Sequence, residues 1–305
     1  SSLTSITSEA SDIRPVLEFV KCSYRDRNGL MWLGTTGFGL LTYDPRVDRF
    51  HPVHGNSVRY MAPMRDGRLL LNESNFLTIY DAVKRRRALS LADLRDATVP
   101  FTTYPGTEVL AQDQDGAIWF CPGGLGRYDP ATRVCEQFIP PLPSGQPAPP
   151  SQACFPFEVT GDTLWFGAAA FHWFDLRTRE FGLAAYPIPP VNEPYSFLQA
   201  IHRDAEGILW LGTLKGLLRF DQKTRAWKHF THDPKNAGTL AADILFCIAA
   251  DPHEPDRYLW IGTMGGGLCR FEKSTGIVKR FTTAEGLPNN VVYGILPDDD
   301  GRLWM

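Results

Sequence analysis

The chain has 305 residues, with 31 Lys and Arg against 34 Asp and Glu and a formal charge of −3. This balance excludes a protein that binds polyanions through bulk charge, and the longest apolar runs fall short of the roughly 18 residues that a membrane span needs. With 43% apolar residues, 27 Gly and 24 Pro, the composition predicts a folded chain that is rich in turns.

A short pattern of an acidic residue, a glycine and a tryptophan recurs along the chain. Full copies combine Asp26 with Trp32, Asp113 with Trp119, Asp204 with Trp210, and Asp298 with Trp304. Degenerate copies contain Trp165 and Trp260, the latter following Asp256, and another copy has Leu70 in place of Trp. The mean spacing of about 45 residues is that of a four-stranded propeller blade.

Each repeat is interpreted as four strands, A to D, in chain order. Apolar stretches such as 16–22, 244–250 and 291–296 predict strand A, and the acidic turn then closes a hairpin in which Asp caps backbone N–H groups and Gly has a positive φ. Strand B ends in Gly-Thr, strand C ends at an acidic residue, and strand D ends at a Phe such as Phe230 or Phe281.

The repeat predicts an all-β fold: a seven-bladed β-propeller with four-stranded antiparallel blades and an incomplete last blade. We expect residues 1–305 to form a single propeller domain, because the repeat continues in phase on both sides of the Pro-rich stretch 140–150. The blade anchors are Trp32, Leu70, Trp119, Trp165, Trp210, Trp260 and Trp304.

Other chemistry is disfavoured by the same residues. The acidic turns place Gly too early for a calcium loop, and the pairs His51/His54 and His229/His232 lack a third ligand on a helical face, so no metal site is predicted. The six cysteines have no metal-ligand spacing. No cofactor motif and no convergent catalytic set is found, so we predict no catalytic residues and no cofactor.

The strings D-x-x-G-x-x-W-[LI]-G-T, G-L-x-x-[YF]-D and the linker 281–291 resemble the two-component regulator propeller repeat. The resemblance covers essentially the whole chain and is weakest in the second and fourth repeats. This repeat builds the extracytoplasmic sensor region of hybrid two-component histidine kinases of the Bacteroidota type. The resemblance implies a periplasmic sensor segment of a longer multidomain receptor, whose kinase lies outside these residues.

The function implied is a non-catalytic module that senses glycans or oligosaccharides. Implied partners are an oligosaccharide ligand, further sensor domains of the same chain and a second copy in a homodimeric receptor, with no nucleic acid bound by this segment. A propeller glycoside hydrolase or lyase and a pure protein-interaction scaffold stay open as alternatives, since fold alone does not decide function.

Candidate ligand-binding residues are placed on the face that carries the B-to-C turns and the D-to-A loops. Loops on a rigid scaffold are where such folds bind ligands. Trp173 lies outside the repeat's Trp positions and is the most distinctive, although ordinary packing also accounts for it. The four candidates are Phe76, His172, Trp173 and Lys215. The same turns carry Phe38, Asn75, Phe171 and Met264.

Overall fold

A computed structural model describes residues 20–90, 110–141, 157–187 and 198–305, except 45, 47–48, 55–56, 74–75, 85, 121–124, 133, 168–170, 185 and 299. The described part contains β-strands and one short 3-10 helix, Thr283–Glu285. The all-β prediction is confirmed. None of the helical residues described forms a segment long and apolar enough to cross a membrane.

The first three blades are four-stranded sheets with the strands in chain order. The first contains β1 (Val20–Arg25), β2 (Met31–Thr35), β3 (Gly39–Asp44) and β4 (Arg49–His54). The second contains β5 (Val58–Pro63), β6 (Leu69–Glu73), β7 (Phe76–Asp81) and β8 (Arg86–Ser90). The third contains β9 (Leu110–Gln112), β10 (Ile118–Phe120), β11 (Leu125–Tyr128) and β12 (Cys135–Phe138).

Three further four-stranded sheets follow with the same strand order. The fourth contains β13 (Phe157–Thr160), β14 (Thr163–Gly167), β15 (Phe171–Asp175) and β16 (Phe181–Ala184). The fifth contains β17 (Leu198–Arg203), β18 (Ile208–Thr213), β19 (Gly216–Asp221) and β20 (Trp227–Phe230). The sixth contains β21 (Leu245–Ala250), β22 (Tyr258–Thr263), β23 (Leu268–Glu272) and β24 (Val278–Phe281).

A partial seventh blade consists of β25 (Leu296–Pro297) paired with β26 (Leu303–Trp304). The prediction of a full strand over 291–296 is wrong. The backbone of this segment is engaged by the sixth blade instead: Val292 N–H donates to the carbonyl of Thr263 over 3.1 Å, and Val291 forms an isolated bridge with Met264.

The described residues divide into two compact units. The N-terminal unit contains those up to Leu164 together with Phe174–Phe181, and the C-terminal unit contains those in Trp165–Trp173 and Gly182–Met305. Within each unit the first strands of successive blades are neighbours: β1, β5, β9 and β13 in one, and β17, β21 and β25 in the other. That residues 1–305 form a single domain stays a prediction.

Hydrophobic side chains fill the space between successive blades, as the repeat predicts. In the N-terminal unit, Trp32 and Leu40 of the first blade pack with Leu71 of the second. In the C-terminal unit, Trp210 of the fifth blade packs with Ile261 and Phe271 of the sixth. Burial of such surfaces contributes roughly 25 cal/mol per Å², so each blade depends on its neighbours for stability.

The acidic hairpin holds its tryptophan by a hydrogen bond that the repeat spacing alone does not reveal. In the fifth blade, Asp204 Oδ1 accepts the backbone N–H groups of Glu206 and Ile208 at 3.1 and 2.9 Å, and Oδ2 accepts the indole N–H of Trp210 at 2.8 Å. Gly207 between them has φ 84°, a conformation that favours glycine. One carboxylate therefore fixes both the turn and the core side chain.

The same indole bond recurs in the other three full copies. Its length is 3.0 Å for Asp26 with Trp32, 2.7 Å for Asp113 with Trp119 and 3.0 Å for Asp298 with Trp304. The acidic residue and the tryptophan six positions later thus form one structural unit. A buried indole N–H without an acceptor is costly, which explains why these two residue types occur together.

The degenerate copies depart from this unit in an informative way. In the sixth blade the turn residue is Asp251 and not Asp256: Asp251 N–H donates to the carbonyl of Tyr258 at 3.1 Å, and its Oδ1 caps His253 and Glu254 at 3.0 and 3.1 Å. The insertion lengthens the turn by three residues. Asp251 Oδ2 then accepts from Arg270 Nε at 2.8 Å in place of the indole of Trp260.

The Gly-Thr pair that ends strand B has a role at the opposite end of the blade. Thr213 Oγ1 donates to the carbonyl of Gly216 at 2.7 Å, and Thr263 Oγ1 donates to that of Gly267 at 2.8 Å, closing the turn into strand C. A Cβ on the preceding residue, Gly262, would collide with the Cys247 side chain of strand A. Glycine is required there by this close approach.

Candidate functional site

Each blade has two distinct edges. One edge carries the A-to-B hairpins and the C-to-D turns, and the other carries the B-to-C turns and the D-to-A connections, as the strand order dictates. The acidic hairpins lie on the first edge, where they stabilise the fold. The second edge is the one on which the candidate ligand-binding residues were predicted.

Two of the four predicted residues lie at this second edge. Phe76 is the first residue of β7, paired with Glu73, and its side chain lies outside the described residues. Lys215 lies in the turn between β18 and β19 and is exposed. Its carbonyl is within 2.6 Å of His229 Nε2, which fixes the turn while leaving the ammonium group on the surface.

His172 is a core residue of β15 and does not lie in a turn as predicted. It is 1% exposed and stacks on Phe166, with ring centroids 5.3 Å apart and planes at 15°. Burial lowers the pKa of this imidazole to about 4, so it is neutral at physiological pH. A ligand approaching from solvent would not reach it in this conformation.

Trp173 is the next residue of β15 and is half-buried. Its indole covers Gly182 of β16 so closely that a side chain at that glycine would overlap the ring. It also packs against the hydrophobic cluster that contains Phe171 and Leu218. The structure thus places Trp173 in packing contacts within the C-terminal unit, and its role in ligand binding stays a prediction.

Strand A of four blades contains a β-bulge near its start. The register of the A–B pairing skips one residue, which leaves a bulged position opposite the Gly-Thr pair in three of these blades and opposite Asn72 and Glu73 in the second blade. β-bulges occur preferentially beside functional sites, where they redirect a side chain. The bulged residues are Lys21, Arg59, Gln199 and Phe246.

Phe246, the bulged residue of the sixth blade, forms an aromatic pair with Tyr293 that sequence reasoning missed. The two rings stack with centroids 4.8 Å apart and planes at 23°. Tyr293 is 60% exposed, and the neighbouring Met264 is 51% exposed. We call these three residues the aromatic patch. It lies on the edge that carries the B-to-C turns, as predicted for the ligand site, but is built from residues of which only Met264 was noted.

The backbone beneath the aromatic patch is held from both sides. Met264 N–H donates to the carbonyl of Ile244, just before β21, at 2.9 Å. Gly267 N–H donates to the carbonyl of Asn290 at 2.8 Å, which ties the same turn to the segment that carries Tyr293. A Cβ on Gly266 would meet the backbone of Ala241. The patch therefore rests on three chain segments that fix one another.

The chemistry available at the patch is recognition. The exposed ring of Tyr293, backed by the half-buried ring of Phe246, offers a stacking surface for an apolar ring face, and the exposed Met264 adds a polarisable thioether. The described residues include no cluster of three or more His, Cys, Asp or Glu side chains that could hold a metal ion.

Six successive four-stranded antiparallel sheets, each covered by its neighbours within a unit, define a β-propeller type of protein. Residues 286–305 match the family model described as "Two component regulator propeller". The resemblance inferred from the sequence is therefore confirmed over residues 286–305, which carry the two-component regulator propeller repeat. A comparison with curated proteins finds no match.

Solved structures of similar fold come from several bacteria. The extracellular domain of a putative hybrid two component system from B. thetaiotaomicron is 21% identical, with TM-score 0.63 over 93% of this chain and 43% of that one. PorZ, a surface component of the Porphyromonas gingivalis type-IX secretion system, is 14% identical, with TM-score 0.67 over 92% and 44%. Virginiamycin B lyase from Staphylococcus aureus is 15% identical, with TM-score 0.61 over 86% and 84%.

At these identities the likenesses establish the fold alone. The chain spans less than half the length of the two component system's extracellular domain and of PorZ. The neighbours include a domain of a two component system, a secretion component and a lyase, so the likeness by itself does not select among the function classes.

Proposed function

We propose that this chain is a non-catalytic, extracytoplasmic ligand-sensing module of a two-component signalling protein, and that it binds an oligosaccharide at the aromatic patch. The carrying observation is the stacked pair of Phe246 and Tyr293, in which the Tyr293 ring is exposed and the Phe246 ring half-buried, at the edge where the B-to-C turns lie. The match of residues 286–305 to the two component regulator propeller model supports the sensor role.

The patch suits a sugar ring for physical reasons. The face of a pyranose carries C–H groups that pack on an aromatic ring, while its hydroxyl groups stay at the rim and exchange hydrogen bonds with water and nearby polar groups. Tyr293 adds a phenolic hydroxyl, and Asn289 and Asn290 are close in sequence. A rigid aromatic platform also loses little conformational entropy on binding.

The proposal is tested by measuring binding of the 305-residue chain to a panel of neutral and acidic oligosaccharides, with product analysis of the same samples. Tyr293→Ala is expected to weaken binding at least tenfold, and Tyr293→Phe to retain most of it, because the ring face is kept. Phe246→Leu, which keeps bulk without a flat ring, is expected to fall between them.

The matched control is Tyr258→Ala. Tyr258 belongs to the same blade but lies at the other end of β22, beneath the guanidinium of Arg270 at 3.8 Å. Its removal leaves the patch intact, so oligosaccharide affinity is expected to be unchanged. Equal losses in Tyr258→Ala and Tyr293→Ala would indicate a general folding defect and would contradict a site at the patch.

The four predicted residues enter the same assay as proposals. Lys215→Ala is expected to change affinity if the ligand extends from the patch to the neighbouring fifth blade, and Phe76→Ala tests the N-terminal unit by itself, whereas His172→Ala and Trp173→Ala act mainly on packing. Turnover of any glycan would replace the sensor by a propeller enzyme such as a glycoside hydrolase or lyase. Absence of binding across the panel would favour the interaction scaffold.

A further inference from the structure

A cleft of about 310 Å³ opens in the N-terminal unit, on the edge that carries the acidic hairpins. Its wall includes Asp113 and Trp119 of the third blade and Leu176 of the fourth. This volume is at the lower end of the range of pockets that bind small molecules, about 300–1,000 Å³.

The cleft exists because the fourth blade departs from the repeat. Its A-to-B hairpin is a two-residue turn, Gly161 and Asp162, where the third blade has a five-residue connection. A Cβ placed on Gly161 would meet nothing within 4 Å. The short turn leaves open space beside the acidic hairpin of the third blade.

In the C-terminal unit, the position that corresponds to Leu176 is occupied by Lys273. Leu176 N–H donates to the carbonyl of Asp162 at 2.7 Å, and Lys273 N–H donates to the carbonyl of Arg257 at 3.0 Å, so the two residues occupy the same position in their blades. The ammonium group of Lys273 lies 3.4 Å from Asp204 Oδ2, with the two side chains 11% and 4% exposed.

Asp113 and Asp204 share two further features. Each accepts an indole N–H, at 2.7 Å from Trp119 and 2.8 Å from Trp210. A guanidinium lies 6.0 Å from each indole ring: Arg127 over Trp119 and Arg219 over Trp210. The Asp113 site differs from the Asp204 site in two ways: a cavity lies beside Asp113 where Lys273 approaches Asp204, and Arg127 Nε is 3.9 Å from Asp113 Oδ2.

We propose that the cleft binds the primary ammonium group of a small ligand, seated on Asp113 as the ammonium group of Lys273 is seated on Asp204. Asp115 and Asp162 line the same cleft and are exposed, so their carboxylates can accept the remaining ammonium hydrogens or neighbouring hydroxyls. This site lies on the opposite blade edge from the aromatic patch and does not depend on sugar binding there.

Three arginines also line the cleft, and two of them are engaged. Glu136 accepts from Arg127 Nη1 at 3.2 Å and from Arg179 Nη1 and Nη2 at 2.6 and 3.4 Å. Arg127 Nε lies 3.9 Å from Asp113 Oδ2, so an ammonium group bound there would share this carboxylate with Arg127, whose charge is also met by Glu136. Arg177 at the exposed rim is placed to meet an acidic or hydroxyl group of the same ligand.

The test compares two sugars that differ by their charge. The 305-residue chain is titrated calorimetrically with glucosamine and with N-acetylglucosamine at constant ionic strength and at pH 6.5, below the usual pKa of such amines of about 7.7. Glucosamine is expected to bind with one-to-one stoichiometry and N-acetylglucosamine at least tenfold more weakly. Ethylamine is expected to compete with glucosamine, which separates the ammonium from the sugar ring.

Variants locate the site. Leu176→Lys supplies an internal ammonium group and is expected to reduce glucosamine affinity at least tenfold, whereas Leu176→Met, an apolar side chain of similar volume, is expected to retain it. Asp113→Asn removes the charge and is expected to lose binding as well; because Asn has one acceptor oxygen, it also gives up either the indole bond of Trp119 or the cap of the turn. Circular dichroism checks that each variant is folded.

Several outcomes would overturn the proposal. Equal binding of the two sugars would assign recognition to hydroxyl groups, and binding of neither would show that the cleft is only a packing gap. Undiminished binding by folded Leu176→Lys would place the amine elsewhere. Tighter binding of calcium chloride than of either amine would show a metal site. Loss of oligosaccharide binding at the aromatic patch alone would leave this proposal standing.

Discussion

The hairpins around Asp113 and Asp204 have the same hydrogen bonds but different neighbouring side chains. Both carboxylates cap a turn and hold an indole, but Lys273 closes the space beside Asp204, and Leu176 leaves a cleft beside Asp113. In a repeat protein each interface is a separate copy of one solution. A shorter hairpin together with an apolar residue in place of lysine can therefore open a site in one copy while the fold is preserved.

The largest expected effect comes from removing the indole in each hairpin. Trp210→Ala and Trp119→Ala truncate side chains that are 1% and 2% exposed. Each is expected to lower the free energy of unfolding by about 3–5 kcal/mol. Trp119→Ala is expected at the lower end, because the cleft already lies beside this ring. Urea denaturation measures both, and a larger loss for Trp119 would contradict the comparison.

A second prediction concerns the pH dependence of stability that His172 gives to the C-terminal unit. Its pKa is lowered by burial from 6.5 to about 4, so the unfolded chain binds more protons than the native one between these values. Stability contributed by the neutral imidazole is present above pH 6.5 and is lost as pH falls toward 4, by about 3 kcal/mol at most.

The variant His172→Gln removes this titration. Its stability is expected to change less than that of the parent between pH 7 and pH 4, measured by urea denaturation at each pH. A parallel pH dependence in parent and variant would show that His172 does not carry the acid sensitivity.

The fold was predictable because its signals are local and repeated. Asp, Gly and Trp at fixed spacing identify a hairpin in every full copy, and the strands follow from alternation around it. The prediction from the repeat was wrong where an insertion changed the length of a turn. Asp256 looked like the turn residue of the sixth blade, but Asp251 has that role because three inserted residues lengthen the turn.

The candidate sites were less predictable because they depend on contacts between segments. Phe246 reaches its position through a bulge that alternation does not show, and Tyr293 follows a segment held by the sixth blade instead of pairing as a strand. The cleft becomes visible only when Leu176 is compared with Lys273 across blades. His172 was chosen as a turn residue, and strand β15 buries it.

A third prediction tests the charge pair itself. Burial opposes ionisation of Asp204, yet the bonds from Trp210 and Ile208 and the charge of Lys273 together hold its pKa below the usual 3.8. Asp204→Asn leaves the ammonium group of Lys273 largely buried without its partner. Asp204→Asn is expected to lower the free energy of unfolding by about 2 kcal/mol more than Asp113→Asn, because Asp113→Asn leaves no buried lysine without its partner.

The sign of the pH effect follows from the lowered pKa. Stability from ionised Asp204 is present above pH 3.8 and is lost as pH falls through the native pKa. Below the native pKa of Asp204, the difference in free energy of unfolding between Asp204→Asn and the parent is expected to become smaller. Lys273→Met in the Asn background should recover part of the loss, since it removes the unpaired charge. No recovery in this double-mutant cycle would contradict the pairing.

The smallest predicted effect compares two strained arginines, one in each unit. Arg179 and Arg225 hold the same turn position with φ of 61° and 60°, where the sixth blade has Gly276 at 79°. A non-glycine residue in this region costs about 1–2 kcal/mol. The side chains offset that cost differently: Arg179 forms a bidentate pair with Glu136, and Arg225 lies 5.7 Å over the ring of Trp165.

Arg225→Gly is therefore expected to be neutral or to stabilise by up to about 1 kcal/mol, because relief of strain exceeds a lost cation–π contact of about 0.5–1 kcal/mol. Arg179→Gly is expected to be neutral or destabilising by a similar amount, because it also frees Glu136 and loosens the wall of the cleft. The thermal midpoints of the two variants should differ in this order at low salt, and the gap should narrow in 1 M salt as the exposed ion pair is screened. A lower thermal midpoint for Arg225→Gly than for Arg179→Gly would show that the ion pair of Arg179 with Glu136 contributes less stability than the contact of Arg225 with Trp165.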